Sequence, residues 1–280
     1  MLEKKIAFIG SGEMAEAMIA GLLRKGLARP ENLLASGPRV ERGMQLMEKY
    51  GIKPFTNNNE AISNADLVVL AIKPQRLSGV LKELKVVPSG AFVLSIVAGA
   101  PIQKIATALK NGAVVRAMPN TPSQIGEGIS VWASAPEVSV VQKEMARSLL
   151  GALGEEIFVE DENYLDMATA LSGTGPTYVF LFMEALIDSG VHMGFSRRIA
   201  EQLVVKTLTG SLAYYQNIQM HPSALRNQVT SPGGTSAEAL YYLEKAGFRT
   251  AISRAIWAAY QRSLELGKET PVHFPETTKD

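Results

Sequence analysis

The feature that most constrains the fold is a glycine-rich turn near the amino terminus, in the stretch IAFIGSGEMAEAMIAGLL. Gly10, Gly12 and Ala15 form a G-x-G-x-x-A pattern between an apolar strand and a helix. The two glycines permit a tight turn and close approach to a pyrophosphate, and Ala15 allows helix and strand to pack closely. Because a helix amino terminus attracts phosphate, the pattern predicts a dinucleotide site; the alternative is a structural turn without phosphate. The predicted contacts here are Gly10, Ser11, Gly12, Glu13 and Met14.

Short apolar strands alternate with helical stretches from the start of the chain to about Val159. The apolar runs are nearly continuous, which is typical of strands covered on both faces. Segments 15–26 and 41–50 have the spacing of helices. We therefore predict an α/β fold, a Rossmann-like doubly wound parallel sheet, over residues 1–162. The predicted strands are KIAFIG, NLLAS, LVVLAI, FVLSIVAG and AVVRAMPN.

The end of the second predicted strand indicates which dinucleotide is bound. In NAD-selective sites this strand usually ends in Asp or Glu, which binds the ribose 2′-OH and repels a 2′-phosphate. Here the strand ends in Ser36 and is followed by Arg39, with Arg42 one helical turn further on. These groups suit a phosphate, because Arg can bond it with two parallel N–H groups. We predict NADPH, with NADH as a second cofactor; the alternative is that both arginines are solvated surface charges.

Three further loops, AIKP, SIVAG and MPNTP, close apolar strands with small or turn-forming residues. Ligands of open α/β sheets bind at the carboxyl ends of the strands, so these loops should line the nicotinamide side. The Asn120 amide either bonds a carboxamide or ribose group or serves as a turn former between two prolines. The other predicted cofactor contacts are Asn57, Ala71, Lys73, Pro74, Ala98 and Gly99.

From Tyr164 onward long helical patterns dominate, and we predict an all-α dimerisation domain over residues 163–280. One helix should open at Pro176, with Ser172 and Thr174 as candidate caps. The helices are so apolar that a monomer would leave hydrophobic faces uncovered. We therefore predict a homodimer, with a compact helical bundle as the alternative. The stretch TPVHFPETTKD should be a loose tail.

Charge and composition exclude several classes of function. Lys and Arg number 28 and Asp and Glu 27, so a net charge of +1 gives no general attraction to nucleic acid or to an anionic membrane. The chain has no cysteine, which excludes thiolate metal sites and cysteine nucleophiles, and its three histidines are too scattered for a metal cluster. The apolar run YVFLFM is far shorter than the roughly 20 residues of a membrane span. We expect no secretory signal, no metal and a cytoplasmic location.

Several motifs occur in an order that resembles a known family. Behind the amino-terminal G-x-G-x-x-A come AIKP, RAMPNTP, ALSGTGPTYVFLFMEALIDSGVHMGFSRRIAEQL and VTSPGGTS. This order resembles pyrroline-5-carboxylate reductase over nearly the whole chain. The resemblance implies a Rossmann domain and a helical domain that interlocks with a partner subunit, in dimers or in decamers built from dimers. It also implies hydride transfer from NAD(P)H to the imine carbon of 1-pyrroline-5-carboxylate, which gives L-proline.

The segment from Ser231 to Ser236 is the candidate substrate site. The SPGG stretch, before a helix that should start near Ser236 or Ala237, offers several unpaired backbone N–H groups to the substrate carboxylate. In the family that the chain resembles, a hydroxyl just after the glycines bonds the substrate nitrogen, and many members have Thr where this chain has Ser236. We assign Ser236 to orienting the imine nitrogen and relaying its proton, with Thr235 as second choice; the alternative is that Ser236 only caps the helix. The predicted substrate contacts are Ser231, Gly233, Gly234, Thr235 and Ser236.

Two other functions fit a similar domain order. A β-hydroxyacid or 6-phosphogluconate-type dehydrogenase needs a lysine as general acid and base near the start of the helix after Gly175, but no lysine occurs between Lys143 and Lys206. A non-catalytic NADPH-binding sensor would share the fold, because a fold alone does not establish function. Such a sensor has no reason to keep a hydroxyl-rich anion-binding loop in its second domain.

Overall fold

The computed structural model describes residues 4–268, and the chain divides into two compact units. The first unit comprises Met1–Thr174 and Ala259–Asp280, and the second comprises Gly175–Ala258. This division differs from the predicted boundary at residue 162, because a short helix after that point packs on the sheet and the end of the last helix returns to the first unit. The predicted tail TPVHFPETTKD lies outside the described residues.

The first unit contains an eight-stranded sheet with the order β3-β2-β1-β4-β5-β6-β7-β8. The first six strands in this order are parallel, which is the dinucleotide-binding arrangement, with the switch point between β1 and β4. β7 runs antiparallel to β6, and β8 is parallel to β7. The strands are β1 Ile6–Ile9, β2 Leu33–Ser36, β3 Lys53–Phe55, β4 Leu67–Leu70, β5 Phe92–Ser95, β6 Val114–Met118, β7 Gly128–Ser134 and β8 Gly154–Phe158.

All five predicted strands are present, as β1, β2, β4, β5 and β6. The predicted parallel doubly wound sheet is confirmed, but it has three more strands than predicted, β3, β7 and β8, and β7 is antiparallel to β6. β7 alternates between buried and half-buried residues instead of forming a continuous apolar run. β3 contains Pro54 and lies at one edge of the sheet, and β8 lies at the other edge with mostly exposed or half-buried residues. Edge strands lack the apolar run that buried strands have.

Helices cover both faces of this sheet. Ile6 and Phe8 of β1 pack with buried residues of α1 and α6, whereas Ala7 and Ile9 pack with those of α3, α4 and α5. Because successive strand residues point to opposite faces, each face has its own core, and the sheet is doubly wound as predicted. The α-helices of this unit are α1 Glu13–Arg24, α2 Val40–Tyr50, α3 Asn58–Ile62, α4 Leu77–Glu83, α5 Ile102–Leu109, α6 Val140–Gly151 and α7 Tyr164–Ala168, and 3-10 turns occupy Pro30–Asn32, Pro74–Arg76 and Thr121–Ile125.

A π-helical turn, Thr169–Gly173, joins α7 directly to α8, which spans Gly175–His192. The Ser172 and Thr174 hydroxyls donate backward to the Ala168 and Thr169 carbonyls, at 2.9 and 2.8 Å. The prediction that these two hydroxyls cap a new helix is therefore wrong. The continuous helical segment from Tyr164 to His192 has a mean hydropathy of 1.2 over its most apolar window. By length and composition alone this one segment could cross a membrane, which corrects the expectation that no apolar stretch was long enough.

The second unit is entirely helical in secondary structure and builds no core of its own. Within Gly175–Ala258 only Ile187, Gly190 and Ala200 are buried, where α8 and α9 pack together. Large apolar side chains on every long helix are exposed, including Phe180 at 60%, Leu181 at 65% and Trp257 at 63%. Exposure of this extent is typical of a surface that another chain covers. The remaining helices are α9 Arg197–Ile218, α10 Pro222–Gln228, α11 Thr235–Lys245 and α12 Phe248–Lys268.

Candidate functional site

The glycine-rich turn between β1 and α1 has a backbone that only glycine adopts easily. Gly10 has φ +103°, and a Cβ placed there would lie 2.3 Å from the Ala71 carbonyl oxygen. The Gly10 N–H donates to the Ser36 carbonyl at 2.8 Å, and the Ala71 N–H donates to the Ile9 carbonyl at 2.8 Å. These contacts bring the carboxyl ends of β1, β2 and β4 together at the switch point of the sheet.

The amino terminus of α1 has the features of a phosphate site. Gly12 is the N-cap residue and makes no side-chain capping bond, and a Cβ added there would meet no heavy atom within 4 Å. The first N–H groups of a helix have no partner inside the helix, so those of Glu13 and Met14 are available to an anion. The open space beside Gly12 and these donors fit a dinucleotide pyrophosphate.

The residues predicted to bind the 2′-phosphate have different surroundings. Ser36 Oγ is fully buried and without a hydrogen-bond partner in the described part of the chain, so it contacts a phosphate only if the neighbouring turn moves. Arg39 is exposed at the N-cap of α2, and within residues 4–268 its guanidinium makes no hydrogen bond or ion pair. Arg42, in contrast, donates from Nε to the Ser11 carbonyl at 3.0 Å and forms an ion pair with Glu16. Arg39 is thus the guanidinium that is free to meet a phosphate.

Glu16 is a contact that the sequence did not indicate. Its carboxylate accepts hydrogen bonds from Arg42, from Lys49 Nζ at 2.9 Å and from the Tyr50 hydroxyl at 2.9 Å. Burial raises the pKa of Glu16, but the hydrogen bonds from Lys49, Arg42 and Tyr50 and the charge of Arg42 outweigh it and lower this pKa to about 2. Glu16 therefore stays ionised and holds α2 against the turn at Ser11.

The predicted nicotinamide loops lie at the same edge of the sheet. Ala71, Lys73 and Pro74 follow β4, Ala98 and Gly99 follow β5, and Asn120 follows β6, on three adjacent strands. Asn120 Oδ1 accepts from the Ile129 N–H of β7 at 3.0 Å, which leaves its amide N–H groups for a ligand. Asn57 lies after β3, and its Oδ1 caps α3 by accepting from the Asn59 N–H at 2.9 Å. The binding role of each residue remains a prediction.

The candidate substrate site belongs to the second unit. Ser231–Gly234 forms a turn closed by the Gly234 N–H, which donates to the Ser231 carbonyl at 3.0 Å, with Gly233 at φ +70°. Gly234 is the N-cap of α11, so the helix starts at Thr235 and not at the predicted Ser236 or Ala237. The alternative that Ser236 only caps this helix is therefore wrong. The N–H groups and hydroxyls of Thr235 and Ser236 make no hydrogen bond within the described residues and are available to an anion.

Among residues 4–268 no group of three or more His, Asp or Glu side chains could hold a metal ion. Arg116 in β6 is a second residue that the sequence analysis missed: it is buried and forms ion pairs with Glu162 and Asp166. Its signal was a single charge inside the apolar run VVRAM. A buried charge without a ligand usually has a charged partner, which a search for strands alone does not reveal.

Comparisons with known proteins decide the family. Residues 162–266 match the model described as pyrroline-5-carboxylate reductase dimerisation, and residues 5–99 match that described as NADP oxidoreductase, coenzyme F420-dependent. A pyrroline-5-carboxylate reductase of Synechocystis sp. is 38% identical over 265 residues, which cover 95% of this chain and 99% of that relative. The chain belongs to the pyrroline-5-carboxylate reductase family.

Other pyrroline-5-carboxylate reductases match over a similar extent. That of Methanosarcina acetivorans is 37% identical over 271 residues, covering 96% of this chain and 100% of the relative. The crystal structure of Plasmodium falciparum pyrroline carboxylate reductase with NADP bound has a TM-score of 0.88 and 32% identity, and it covers 95% of this chain and 99% of the other. The family predicted from the ordered motifs is confirmed, as are the Rossmann-like domain and the helical domain that follows it.

The dimerisation domain of the pyrroline-5-carboxylate reductase family accounts for the exposed apolar helices. Its match over residues 162–266 includes the whole second unit, Gly175–Ala258. The large apolar side chains that are exposed in the single chain therefore lie in the part of the sequence that matches a dimerisation domain. The predicted dimer is supported, and the alternative of a compact helical bundle is not.

Proposed function

We propose that this chain reduces 1-pyrroline-5-carboxylate to L-proline with NADPH as the hydride donor. The observation that carries the proposal is membership of the reductase family over 95% of the chain, with a glycine turn for a dinucleotide at one end. The anion-accepting turn before α11 gives the second domain a place for the substrate. NADPH, when bound, would supply the hydride that the imine carbon receives, and the imine nitrogen would take up one proton from solvent, which together give the amine of L-proline.

Residues of the first unit hold the cofactor in this proposal. The turn Gly10–Met14 binds the pyrophosphate through backbone N–H groups at the start of α1. Arg39 bonds the 2′-phosphate, since Arg42 is already occupied by Ser11 and Glu16. NADH has no 2′-phosphate and cannot form this bond, so we propose NADH as the weaker second cofactor.

The turn of the second unit holds the substrate carboxylate. Its free N–H groups include those of Thr235 and Ser236 at the start of α11. Each charge-assisted hydrogen bond contributes roughly 1.5–3 kcal/mol, and millimolar binding needs only about 4 kcal/mol. Two or three such bonds are therefore sufficient without an arginine. Ser231, Gly233 and Gly234 shape this turn.

The hydroxyl of Ser236 orients the imine nitrogen and relays its proton in this proposal. Ser236 is half-buried at the second position of α11, whereas Thr235 at the first position is exposed. Both hydroxyls lack a partner within the described residues, so either is able to donate or accept. We assign the contact to Ser236 first, because a partly shielded hydroxyl bonds a ligand with less competition from water.

The assembly and location complete the proposal. We propose a homodimer formed through the second unit, and decamers built from such dimers as the larger assembly. The apolar segment from Tyr164 to His192 lies inside the dimerisation match, so we propose that it faces protein and not lipid. Since the net charge of +1 gives no attraction to anionic membranes, we propose a cytoplasmic enzyme.

A direct assay tests the function. Purified protein is mixed with NADPH and 1-pyrroline-5-carboxylate, and the nicotinamide absorbance is followed with time, beside a reaction without protein. We expect consumption of NADPH and formation of L-proline in equal amounts. Binding of NADPH without consumption above the protein-free reaction would instead indicate a sensor and reject the enzyme.

A further inference from the structure

Arg116 is a charged residue inside the core of the first unit. Its side chain is 2% exposed, on β6 between the apolar residues Val115 and Ala117. It forms two ion pairs: NH1 lies 2.9 Å from Glu162 Oε1, and NH2 lies 3.0 Å from Asp166 Oδ1. An apolar residue of similar volume usually stabilises such a position as well as a buried ion pair does. The ion pairs of Arg116 are therefore better explained by the positions that they fix than by added stability.

The two carboxylates connect Arg116 to two other elements. Glu162 Oε1 also accepts from the Ile102 N–H at 2.9 Å, at the first residue of α5. Asp166 Oδ1 also accepts from Ser263 Oγ at 2.7 Å, and Ser263 is a buried residue in the last turns of α12. One guanidinium thereby links the start of α5 and the end of α12 to β6.

Both α5 and α12 adjoin the loop that follows β5, which contains Gly99. Gly99 is buried with φ +65°, and a Cβ there would lie 2.7 Å from Leu266 Cβ and 2.9 Å from the Gly267 nitrogen. The loop that contains Gly99 leads directly into α5 through Pro101. The end of α12 thus packs against the Gly99 loop, and the Arg116 network holds both the helix and the start of α5 that follows this loop.

We propose that Arg116 is a positioning residue that sets the Gly99 loop for hydride transfer, through Glu162 to α5 and through Asp166 and Ser263 to α12. The inference rests on the proposed function, which places this loop beside the nicotinamide. Displacing a reacting group by about 1 Å is enough to slow a reaction up to about a hundredfold. Binding of the adenosine half depends on the other end of the sheet, at β2, and should not change.

Two substitutions with matched controls test this role. Arg116→Lys keeps the charge but cannot bond both carboxylates in a fork, and its control is Arg147→Lys, since Arg147 also contacts two carboxylates, Glu144 and Glu156. Ser263→Ala removes only the link to α12, and its control is Ser139→Ala, which removes the cap of α6 in the same unit. The measurements are kcat, the Kd of NADPH, and hydrogen exchange in the protein without cofactor.

For Arg116→Lys we expect roughly tenfold lower kcat with the Kd of NADPH within about twofold. In the cofactor-free protein the amides of Ile102 and of residues 259–268 should exchange at least about tenfold faster. Ser263→Ala should speed exchange only in residues 259–268 and lower kcat by about threefold. Both controls should leave kcat and these amides as in the wild type.

The proposal is overturned if kcat stays within about twofold of wild type in both Arg116→Lys and Ser263→Ala. It is also overturned if kcat falls without faster exchange in these segments, or if Arg147→Lys lowers kcat equally. If Arg116→Lys does not fold, Ser263→Ala decides alone. A wild-type protein that consumes no NADPH rejects the proposed function, whereas the exchange measurement still shows whether Arg116 holds α5 and α12.

Discussion

Gly10 lies so close to Ala71 that a Cβ at position 10 would stand 2.3 Å from the Ala71 carbonyl oxygen. The contact joins the turn after β1 to the turn after β4. β1 and β4 are neighbouring strands at the switch point of the sheet. A Cβ added at Gly12, two residues further along the chain, would meet no heavy atom within 4 Å. Gly10 is therefore required by the protein backbone, whereas we propose that Gly12 is required by the ligand.

Gly10→Ala should destabilise the cofactor-free protein by about 1–3 kcal/mol, because it adds both a clash and a positive-φ strain. Gly12→Ala should leave the stability nearly unchanged but raise the Kd of NADPH by at least about tenfold, since the methyl group occupies the space of the pyrophosphate. Urea unfolding and NADPH titration of both variants check this. Equal stability losses in the two variants would contradict the assignment.

Ser236→Ala should lower kcat by about a hundredfold while the Kd of NADPH stays within about twofold, because a hydroxyl that orients the imine nitrogen and relays its proton acts only on the substrate. Thr235→Ala is the matched comparison and should lower kcat by less than about threefold. Steady-state rates with NADPH and 1-pyrroline-5-carboxylate measure both. A Ser236→Ala enzyme with unaltered turnover would exclude this hydroxyl from the reaction.

Arg39→Ala should weaken NADPH binding by roughly tenfold or more and leave NADH binding within about twofold, since only NADPH has the 2′-phosphate. Arg42→Ala is the control and should weaken both cofactors alike, because Arg42 supports the Ser11 turn that both use. Titrations of both variants with each cofactor provide the measurement. Equal losses for the two cofactors in Arg39→Ala would argue against 2′-phosphate recognition.

Glu16 should make the free energy of unfolding depend on pH. Its folded pKa of about 2 lies below the ordinary value of 4.5, so its stabilisation is present above about pH 4.5 and is lost as the pH falls towards 2. Because solvent screens part of these interactions, we expect the ionised Glu16 side chain to add about 1–2 kcal/mol to the free energy of unfolding at pH 7. Urea unfolding of wild type and Glu16→Gln from pH 7 to about pH 2 measures it. A difference between the two proteins that does not change with pH would contradict the role of the charge.

Leu181→Glu should dissociate the dimer, because it places a charge on the exposed apolar face of α8, where Leu181 is 65% exposed in the single chain. Val141→Glu is the control: Val141 is 77% exposed but lies on α6 in the first unit. Sedimentation at several protein concentrations gives the assembly of each variant. A Leu181→Glu protein that stays dimeric would show that this face of α8 lies outside the interface.

The sequence was most informative where local pattern and tertiary environment agree. The G-x-G-x-x-A turn, the five buried parallel strands and the long apolar helices were all predicted, because full burial imposes continuous apolar runs and a tight turn imposes glycine. β3, β7 and β8 were missed, because their exposed or half-buried residues carry no such run. The caps predicted at Ser172 and Thr174 failed, because both hydroxyls bond carbonyls of the preceding helical turn.

Contacts between distant residues were beyond the reach of the sequence. Arg39 and Arg42 look alike in the run GPRVER, yet only Arg42 is paired, because Glu16 lies on a neighbouring helix. Arg116 and Ser263 are 147 positions apart and meet through one carboxylate, Asp166. No local sequence pattern predicts which cation forms an ion pair or which hydroxyl is buried.

The sequence by itself determined the fold class, the family and the dinucleotide cofactor, because these depend on short motifs and on the period of apolar residues. Only the tertiary structure decided which charges remain free and where α11 begins, and it showed that the end of α12 packs against the loop that contains Gly99. The physical reason is that burial, hydrogen bonding and pKa depend on neighbours in space, and chain folding brings those neighbours from separate parts of the sequence.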